Sequence, residues 1–272
     1  MSADALPSPG SGAATWTEQS VLGLRTWTDG VLSLRSTRDD AFAFLPGQYV
    51  RLGLRKADGG TVWRPFSMVS SPQEGELEFL ARLVPGGEFS EPLARVRPGD
   101  PLLVERRVLG FLTLDRLAAG KSLWMVASGT GLGPFISILR DPQAAAGFDD
   151  LVIVHSVRQA GELAYRDEIT SRAAGTAASL GSATSASGPR VHYVPVVTRE
   201  DVPGALRERI PRLIESGELQ AAAGVALDPE HARVMACGNP EMCAELRPLL
   251  IAREFRTTRR GVLGNLAFEN YW

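Results

Sequence analysis

Cysteine is nearly absent: Cys237 and Cys243 are the only two among 272 residues. Two thiols make no disulfide framework and cannot supply the four thiolates of an ordinary iron–sulfur site. Histidine is also scarce, and His155, His192 and His231 are scattered without metal-ligand spacing. No run of about 18 apolar residues occurs, so no membrane span is expected. The net charge of −2 gives no bulk attraction to nucleic acid or to anionic membranes. The opening MSADALPSPGSGAAT lacks the basic and apolar segments of a secretion signal, and residues 1–15 are expected as a disordered tail. With reduced thiols, these absences point to the cytoplasm.

What remains is an ordinary globular composition, 44% hydrophobic and 22% charged, long enough for one large or two medium domains. Two halves differ in rhythm. Over residues 16–117, short apolar strands alternate with turn signals, the spacing of an antiparallel β-barrel or sandwich. Val21 to Arg25 and Val31 to Arg35 flank an Asp29-Gly30 turn, and Tyr49 to Leu54 and Thr61 to Phe66 flank Lys56 to Gly60. Leu77 to Val84 and Leu102 to Arg106 add strands, punctuated by Pro46-Gly47, Pro85-Gly86-Gly87 and Pro98-Gly99.

Over residues 118–272 the strands become continuous apolar runs: Ser122 to Ala127, Leu151 to His155, Val191 to Val197 and Arg233 to Ala236. Such runs suit a parallel sheet buried on both faces, and helical patterns separate them, as in a doubly wound α/β domain. Leu206, Ile210, Leu213 and Ile214 predict one helix with Pro203 near its start. Pro240 and Glu241 open another, which Pro248 should bend or split. Gly175 to Pro189 is small and polar and is expected as a flexible loop.

Four fragments carry chemistry. Ser128-Gly129-Thr130-Gly131-Leu132-Gly133-Pro134 follows an apolar strand and opens a helix. Glycines there let backbone N–H groups approach a pyrophosphate at the positive helix end; the competing reading is a plain tight turn. Arg158 and Arg199 follow the second and third strands and Arg209 is expected in the next helix, where guanidinium forks suit the 2′-phosphate of NADP better than the ribose hydroxyls of NAD. Arg64-Pro65-Phe66-Ser67 sets a cation and an aromatic ring on one strand face, as a diphosphate and a flat ring would need, or is an ordinary strand with a core phenylalanine. Cys237-Gly238-Asn239-Pro240 lies where the fourth strand meets a helix, and Cys237 is either a nicotinamide contact or a structural cysteine. Finally, Phe268-Glu269-Asn270-Tyr271-Trp272 ends the chain in aromatics that must pack on their own core or on a flavin face.

Taken in order, these fragments resemble the bacterial-type ferredoxin/flavodoxin–NADP reductases over nearly the whole chain. Arg64 to Ser67 is similar to that family's R-x-Y-S flavin motif, and Gly86-Gly87-Glu88-Phe89-Ser90 to its second FAD-phosphate loop. Gly129 to Pro134 and Cys237 to Pro240 resemble its two pyridine-nucleotide motifs, Ile210 to Leu219 a segment of bacterial members, and Glu269 to Trp272 their ending. The resemblance implies a FAD-binding antiparallel barrel followed by an NADP-binding domain, with the C-terminal aromatic tail at the flavin. It implies noncovalent FAD, hydride transfer with NADPH, and single electrons exchanged with ferredoxin or flavodoxin.

Carried over by position, Arg64 takes the FAD diphosphate, Ser67 sits near flavin N5, and Pro65, Phe66, Gly87, Phe89 and Ser90 complete the FAD site. Gly129, Thr130, Gly131, Pro134 and Gly238 belong to the nucleotide motifs, and Arg158, Arg199 and Arg209 hold the 2′-phosphate. Ser67, Cys237, Glu269 and Trp272 form the implied catalytic set, with Tyr271 and Trp272 flanking FAD and gating the nicotinamide. One departure stands out: Phe66 replaces the usual tyrosine, which keeps stacking and forfeits a phenolic hydrogen bond. Two other readings remain open, the reductase component of an oxygenase system and a non-catalytic nucleotide-binding regulatory subunit.

Overall fold

The computed structural model describes residues 15–141, 143–179 and 188–270. The N-terminal half is built from β1 (Trp16–Thr28), β2 (Val31–Thr37), β3 (Tyr49–Arg55), β4 (Thr61–Ser67), β5 (Glu76–Arg82), the short α1 (Ser90–Leu93) and β6 (Pro101–Glu105). These strands form one antiparallel sheet in the order β4-β3-β6-β1-β2-β5. The expected Asp29-Gly30 hairpin is present, with Thr28 opposite Val31. β1 is long enough to serve two neighbours. Trp16 to Ser20 pair with β6, and Val21 to Thr28 pair with β2 across two register shifts. Such irregularities bend a strand and curl its sheet. Met68 bridges Phe79, and the Val69 N–H donates to the Glu78 carbonyl (2.8 Å), so the end of β4 meets β5 and the sheet curls into a barrel. Leu34, Val50, Leu52, Phe79 and Leu102 fill it.

The second half contains β7 (Ser122–Ser128), α2 (Gly133–Arg140), β8 (Asp150–Val157), α3 (Arg166–Ser179), β9 (Arg190–Val197), α4 (Ile210–Ser216), α5 (Glu218–Ala223), β10 (Ala232–Cys237), α6 (Pro240–Ala252) and β11 (Leu266–Glu269). Its sheet is parallel throughout, in the order β11-β10-β7-β8-β9. Along β7 the side chains alternate. Leu123, Met125 and Ala127 pack with Phe135 and Ile138 of α2 and Ile169 of α3, while Trp124 and Val126 pack with Ile210, Leu213 and Leu246 on the other face. Both faces are covered, which is why the strands read as unbroken apolar runs. The chain runs outward from β7 to β8 and β9, then returns to β10 on the other side. That reversal creates a crevice beyond the carboxyl ends of β7 and β10, the position where open α/β sheets bind ligands.

Several expectations need correction. α3 continues to Ser179, so the first part of Gly175 to Pro189 is helix and not loop. Ala173, Ala174, Ala177 and Ala178 are strong helix formers and carry the helix past Gly175. Residues 180–187 of that segment lie outside the described residues. The helix expected from Leu206 begins only at Ile210, with Arg209 as its N-cap residue. Leu206 instead joins the sheet edge, donating its N–H to the Pro195 carbonyl (2.9 Å) and accepting from Val197 N (2.8 Å). α6 runs across Pro248 as one helix and is not split. β11 was not anticipated, because four residues are too few for a periodic signal. The described chain starts within the expected tail, where the Thr15 carbonyl accepts from Arg106 N (2.8 Å); residues 1–14 lie outside the described residues. Among the described residues, no helix is long and apolar enough to cross a membrane.

A largely buried chain of hydrogen bonds, with its Ser33–Tyr165 link fully inside, joins the two halves. Trp27 Nε1–H donates to Ser33 Oγ (2.8 Å), Ser33 Oγ meets Tyr165 Oη (2.6 Å), and Tyr165 Oη–H donates to Glu78 Oε1 (2.7 Å). A carboxylate only accepts, so the tyrosine proton points at Glu78 and the serine proton at the tyrosine. Arg140 then grips Glu78 (2.6 Å) and, bidentately, Glu168 (2.8 and 2.9 Å). Burial and the Glu78 charge push the Tyr165 hydroxyl far above its ordinary range, so it stays protonated. Burial opposes the Arg140 charge, but Glu168 and Glu78 outweigh it and raise its pKa. These bonds hold the barrel and the sheet in one orientation.

Candidate functional site

The two glycine turns meet because neither has a side chain at the contact. A Cβ at Gly131 would lie 2.3 Å from the Cys237 carbonyl oxygen, and one at Gly238 would lie 2.3 Å from Ser128 Oγ. Gly238 also adopts φ +132, a backbone region that favours glycine. Ser128 Oγ accepts from Asn239 N (2.7 Å), locking the end of β7 to the start of α6. The Asn239 side chain in turn accepts from Glu241 N (2.8 Å), capping that helix.

A cavity of about 340 Å³ opens between this double turn and the barrel. From the barrel come Arg64, Pro65, Phe66 and Ser67 on β4, Leu80 and Arg82 on β5, and Gly87 to Ser90 on the following loop; from the sheet come Thr130, Gly131 and Gly238. Phe66 and Phe89 stand 5.1 Å apart at 41°, forming an aromatic wall. Arg64 is exposed and pairs with Glu88 (3.3 Å). Ser90 Oγ accepts from Val84 N (2.8 Å), which fixes the loop that carries Gly87 and Phe89. A guanidinium, an aromatic wall and a hydroxyl converging on one cleft form the donor set that a flavin dinucleotide needs. The space at Gly131 and Gly238 brings the sheet's backbone to its rim.

A second cavity of about 680 Å³ adjoins it and shares Arg82, Val84 and Thr130 with it. Gly129, Arg158, Arg199 and Arg209, the residues singled out in the sequence, all line this cavity. The backbone explains the pairing of two of them: Arg199 N donates to the Arg158 carbonyl (3.0 Å), so both arginines leave the same edge of the sheet. Arg209 is held by Glu245 (2.8 Å).

The rest of the predicted set is placed differently. Pro134 is buried in the first turn of α2 and shapes the helix without lining either cavity. Cys237 is fully buried at the end of β10 and lines neither cavity, and burial pushes its thiol well above the ordinary range. Glu269 ends β11 beside Cys237, and its Oε1 accepts from Phe111 N (3.0 Å), joining the last strand to the barrel segment. Tyr271 and Trp272 lie outside the described residues. Sequence reasoning missed Arg82, Glu162 and His155. Only a pairing of distant residues marks the first two. His155 could have been suspected as an isolated histidine in an otherwise apolar strand.

Comparison with known proteins agrees with this geometry. Residues 30–106 match the family described as oxidoreductase FAD-binding domain, and residues 125–247 match the oxidoreductase NAD-binding domain. Ferredoxin–NADP reductase A of Sorangium cellulosum is 37% identical over 93% of this chain and 89% of its own length. The flavodoxin/ferredoxin–NADP reductase of Escherichia coli is 36% identical over 95% of this chain and its whole length. A crystal structure of a ferredoxin–NADP reductase from Neisseria gonorrhoeae, with bound FAD and NADP, superimposes with a TM-score of 0.86 at 31% identity, covering 95% of this chain and all of that one. Similarity along nearly the whole length of these enzymes, with the fold shared at that TM-score, shows that this chain belongs to the ferredoxin/flavodoxin–NADP reductase family of oxidoreductases.

Proposed function

We propose that the chain holds FAD in the barrel-side cavity and NADPH in the adjoining one, and that its electron carrier is a ferredoxin or flavodoxin. Bound FAD supplies hydride acceptance and single-electron release, chemistry that no side chain provides. The chain's own part is position and charge. Arg64 is the cation for the FAD diphosphate, which must displace Glu88 from it. Phe66 and Phe89 supply flat apolar contact, and Ser67 supplies a hydroxyl at the seam. The turn Gly129 to Gly131 presents backbone donors to the nicotinamide nucleotide's pyrophosphate. Arg158 and Arg199 form the fork for its 2′-phosphate, with Arg209 at the rim. Cys237 and Glu269 support the floor and edge of the site, the one by packing beneath the double turn and the other by tying β11 to Phe111.

The observation that carries this reading is that the two cavities are neighbours with Arg82, Val84 and Thr130 in both walls, which sets two bound dinucleotides side by side. The relatives' names favour a carrier reductase over an oxygenase component or a regulatory subunit. The proposed compartment is the cytoplasm, supported by two free cysteines. Anaerobic titration of the purified protein with NADPH tests the function. Flavin absorbance should bleach with NADPH and return when oxidised ferredoxin or flavodoxin is added. Flavin bands that persist under excess NADPH would overturn it.

A further inference from the structure

We infer that Arg82, a barrel residue, sets the preference for NADPH over NADH by neutralising Glu162 beside the 2′-phosphate subsite. Glu162 follows β8 and organises the turn that carries Arg158. Its Oε2 accepts from Arg158 N (2.9 Å) and Gln159 N (3.2 Å). The Ala160 N–H of the same turn goes to Glu200 Oε2 (2.8 Å). Carboxylates are strong acceptors for such backbone donors, so they fix the turn. Their charge nevertheless opposes the phosphate dianion that the turn is shaped to meet.

Arg82 resolves that conflict. Its Nη1 lies 2.9 Å from Glu162 Oε1, the oxygen facing away from the turn. The carboxylate side chain is only 11% exposed, so solvent screens it weakly, and the guanidinium is its closest counter-charge. Four arginines and two glutamates line the cavity, the glutamates being Glu162 and Glu241. Loss of Arg82 removes one of the four cations and at the same time uncovers one of the two anions. NADH has no 2′-phosphate and is far less sensitive to either change.

The geometry also explains why the residue sits on β5. The pair spans the two halves, so the charge balance of the nucleotide site is complete only when barrel and sheet are docked.

The inference rests on the proposed 2′-phosphate site, and calorimetric titration of the FAD-loaded protein with NADP+ and NAD+ separates the two. The quantity read is the ratio of the two dissociation constants. Arg82→Gln should reduce the preference for NADP+ by about tenfold, the scale of one partly screened charge beside a phosphate. In a Glu162→Gln background, where only the loss of one cavity cation remains, the same substitution should change it by clearly less, about threefold or below. Arg82→Lys, which keeps the charge, should retain most of the preference. Equal losses in both backgrounds would mean that Arg82 meets the phosphate itself, and would overturn the inference. So would an unchanged ratio in Arg82→Gln, or a loss in Arg82→Lys as large as in Arg82→Gln. Arg158→Ala is the independent control: if it too leaves the ratio unchanged, the 2′-phosphate site itself has been misplaced. If it collapses the ratio while Arg82→Gln does not, only the present inference fails.

Discussion

His155 Nε2 lies 3.1 Å from the carbonyl oxygen of Gly129, inside the sheet and directly beneath the nucleotide turn. Burial lowers the imidazole pKa to about 4, so the ring is neutral and Nε2 carries the proton it donates. Nδ1 has no hydrogen-bond partner among the described residues, so this single bond is what the ring provides. The peptide that carries the Gly129 carbonyl is trans and planar, so its other end, the Thr130 N–H, points the opposite way, out of the sheet. His155 therefore holds the Thr130 N–H facing away from the sheet, on the side where the proposed pyrophosphate lies. His155→Leu should weaken NADP+ and NAD+ alike, by about two- to tenfold for one lost hydrogen bond. His155→Gln, whose amide can still donate, should recover part of the loss. Titration calorimetry checks both, and a loss confined to NADP+ would contradict the assignment.

The same burial makes His155 a source of acid sensitivity. Its folded pKa, about 4, lies below the ordinary value of 6.5, so the unfolded chain binds its proton first as pH falls. Stability is then unaffected by this group above about pH 6.5 and declines from there towards pH 4, by roughly 2 kcal/mol at pH 5. Urea unfolding at pH 7 and pH 5 should show a smaller difference between the two pH values in His155→Gln than in the parent protein.

Arg158→Ala and Arg199→Ala should each weaken NADP+ about ten- to a hundredfold while leaving NAD+ nearly unchanged, because a charge-assisted bond contributes roughly 1.5–3 kcal/mol. Competition binding with the two oxidised nucleotides decides it. Equal losses for both nucleotides would remove these residues from the 2′-phosphate site.

The place of these arginines in the cavity wall was legible in the sequence because it depends on local position: each follows an apolar strand, at the end where open α/β sheets bind ligands. The glycines at 129, 131 and 238 were legible for a related reason, since a turn that brings backbone to backbone tolerates no side chain. Arg82 and Glu162 stand 80 residues apart and meet only after two domains dock, so no spacing announces them. Leu206 misled for a different reason. Its apolar side chain fits a helical stripe, but the free edge of β9 at Pro195 offered its backbone a better partner. Cys237 looked like a reacting group because of its neighbours in the motif, whereas strand alternation turns its sulfur into the core.

Tyr165→Phe tests the interdomain bond chain. It removes the donor to Glu78, in a part-buried bond, and the acceptor for Ser33, in a buried one, and should cost about 1–3 kcal/mol in unfolding free energy. Because the chain fixes the orientation of barrel and sheet, hydride transfer measured by stopped flow should also slow, although Tyr165 lines neither nucleotide cavity. A loss of stability with an unchanged transfer rate would make the chain structural only.

The docking surface for the electron carrier is the remaining question of recognition. Val262 and Leu263 are about 60% exposed, and Arg256, Arg259 and Arg260 beside them are exposed as well. An apolar tip flanked by cations suits an acidic carrier, since opposite charge speeds encounter and desolvated apolar contact holds it. Arg259→Glu together with Arg260→Glu should lower the rate of ferredoxin reduction at low salt and flatten its dependence on ionic strength. NADPH oxidation with a small uncharged acceptor should stay near the parent value, because the pair lies outside both cavities. If the salt dependence persists in the doubly reversed protein, the carrier docks on another face.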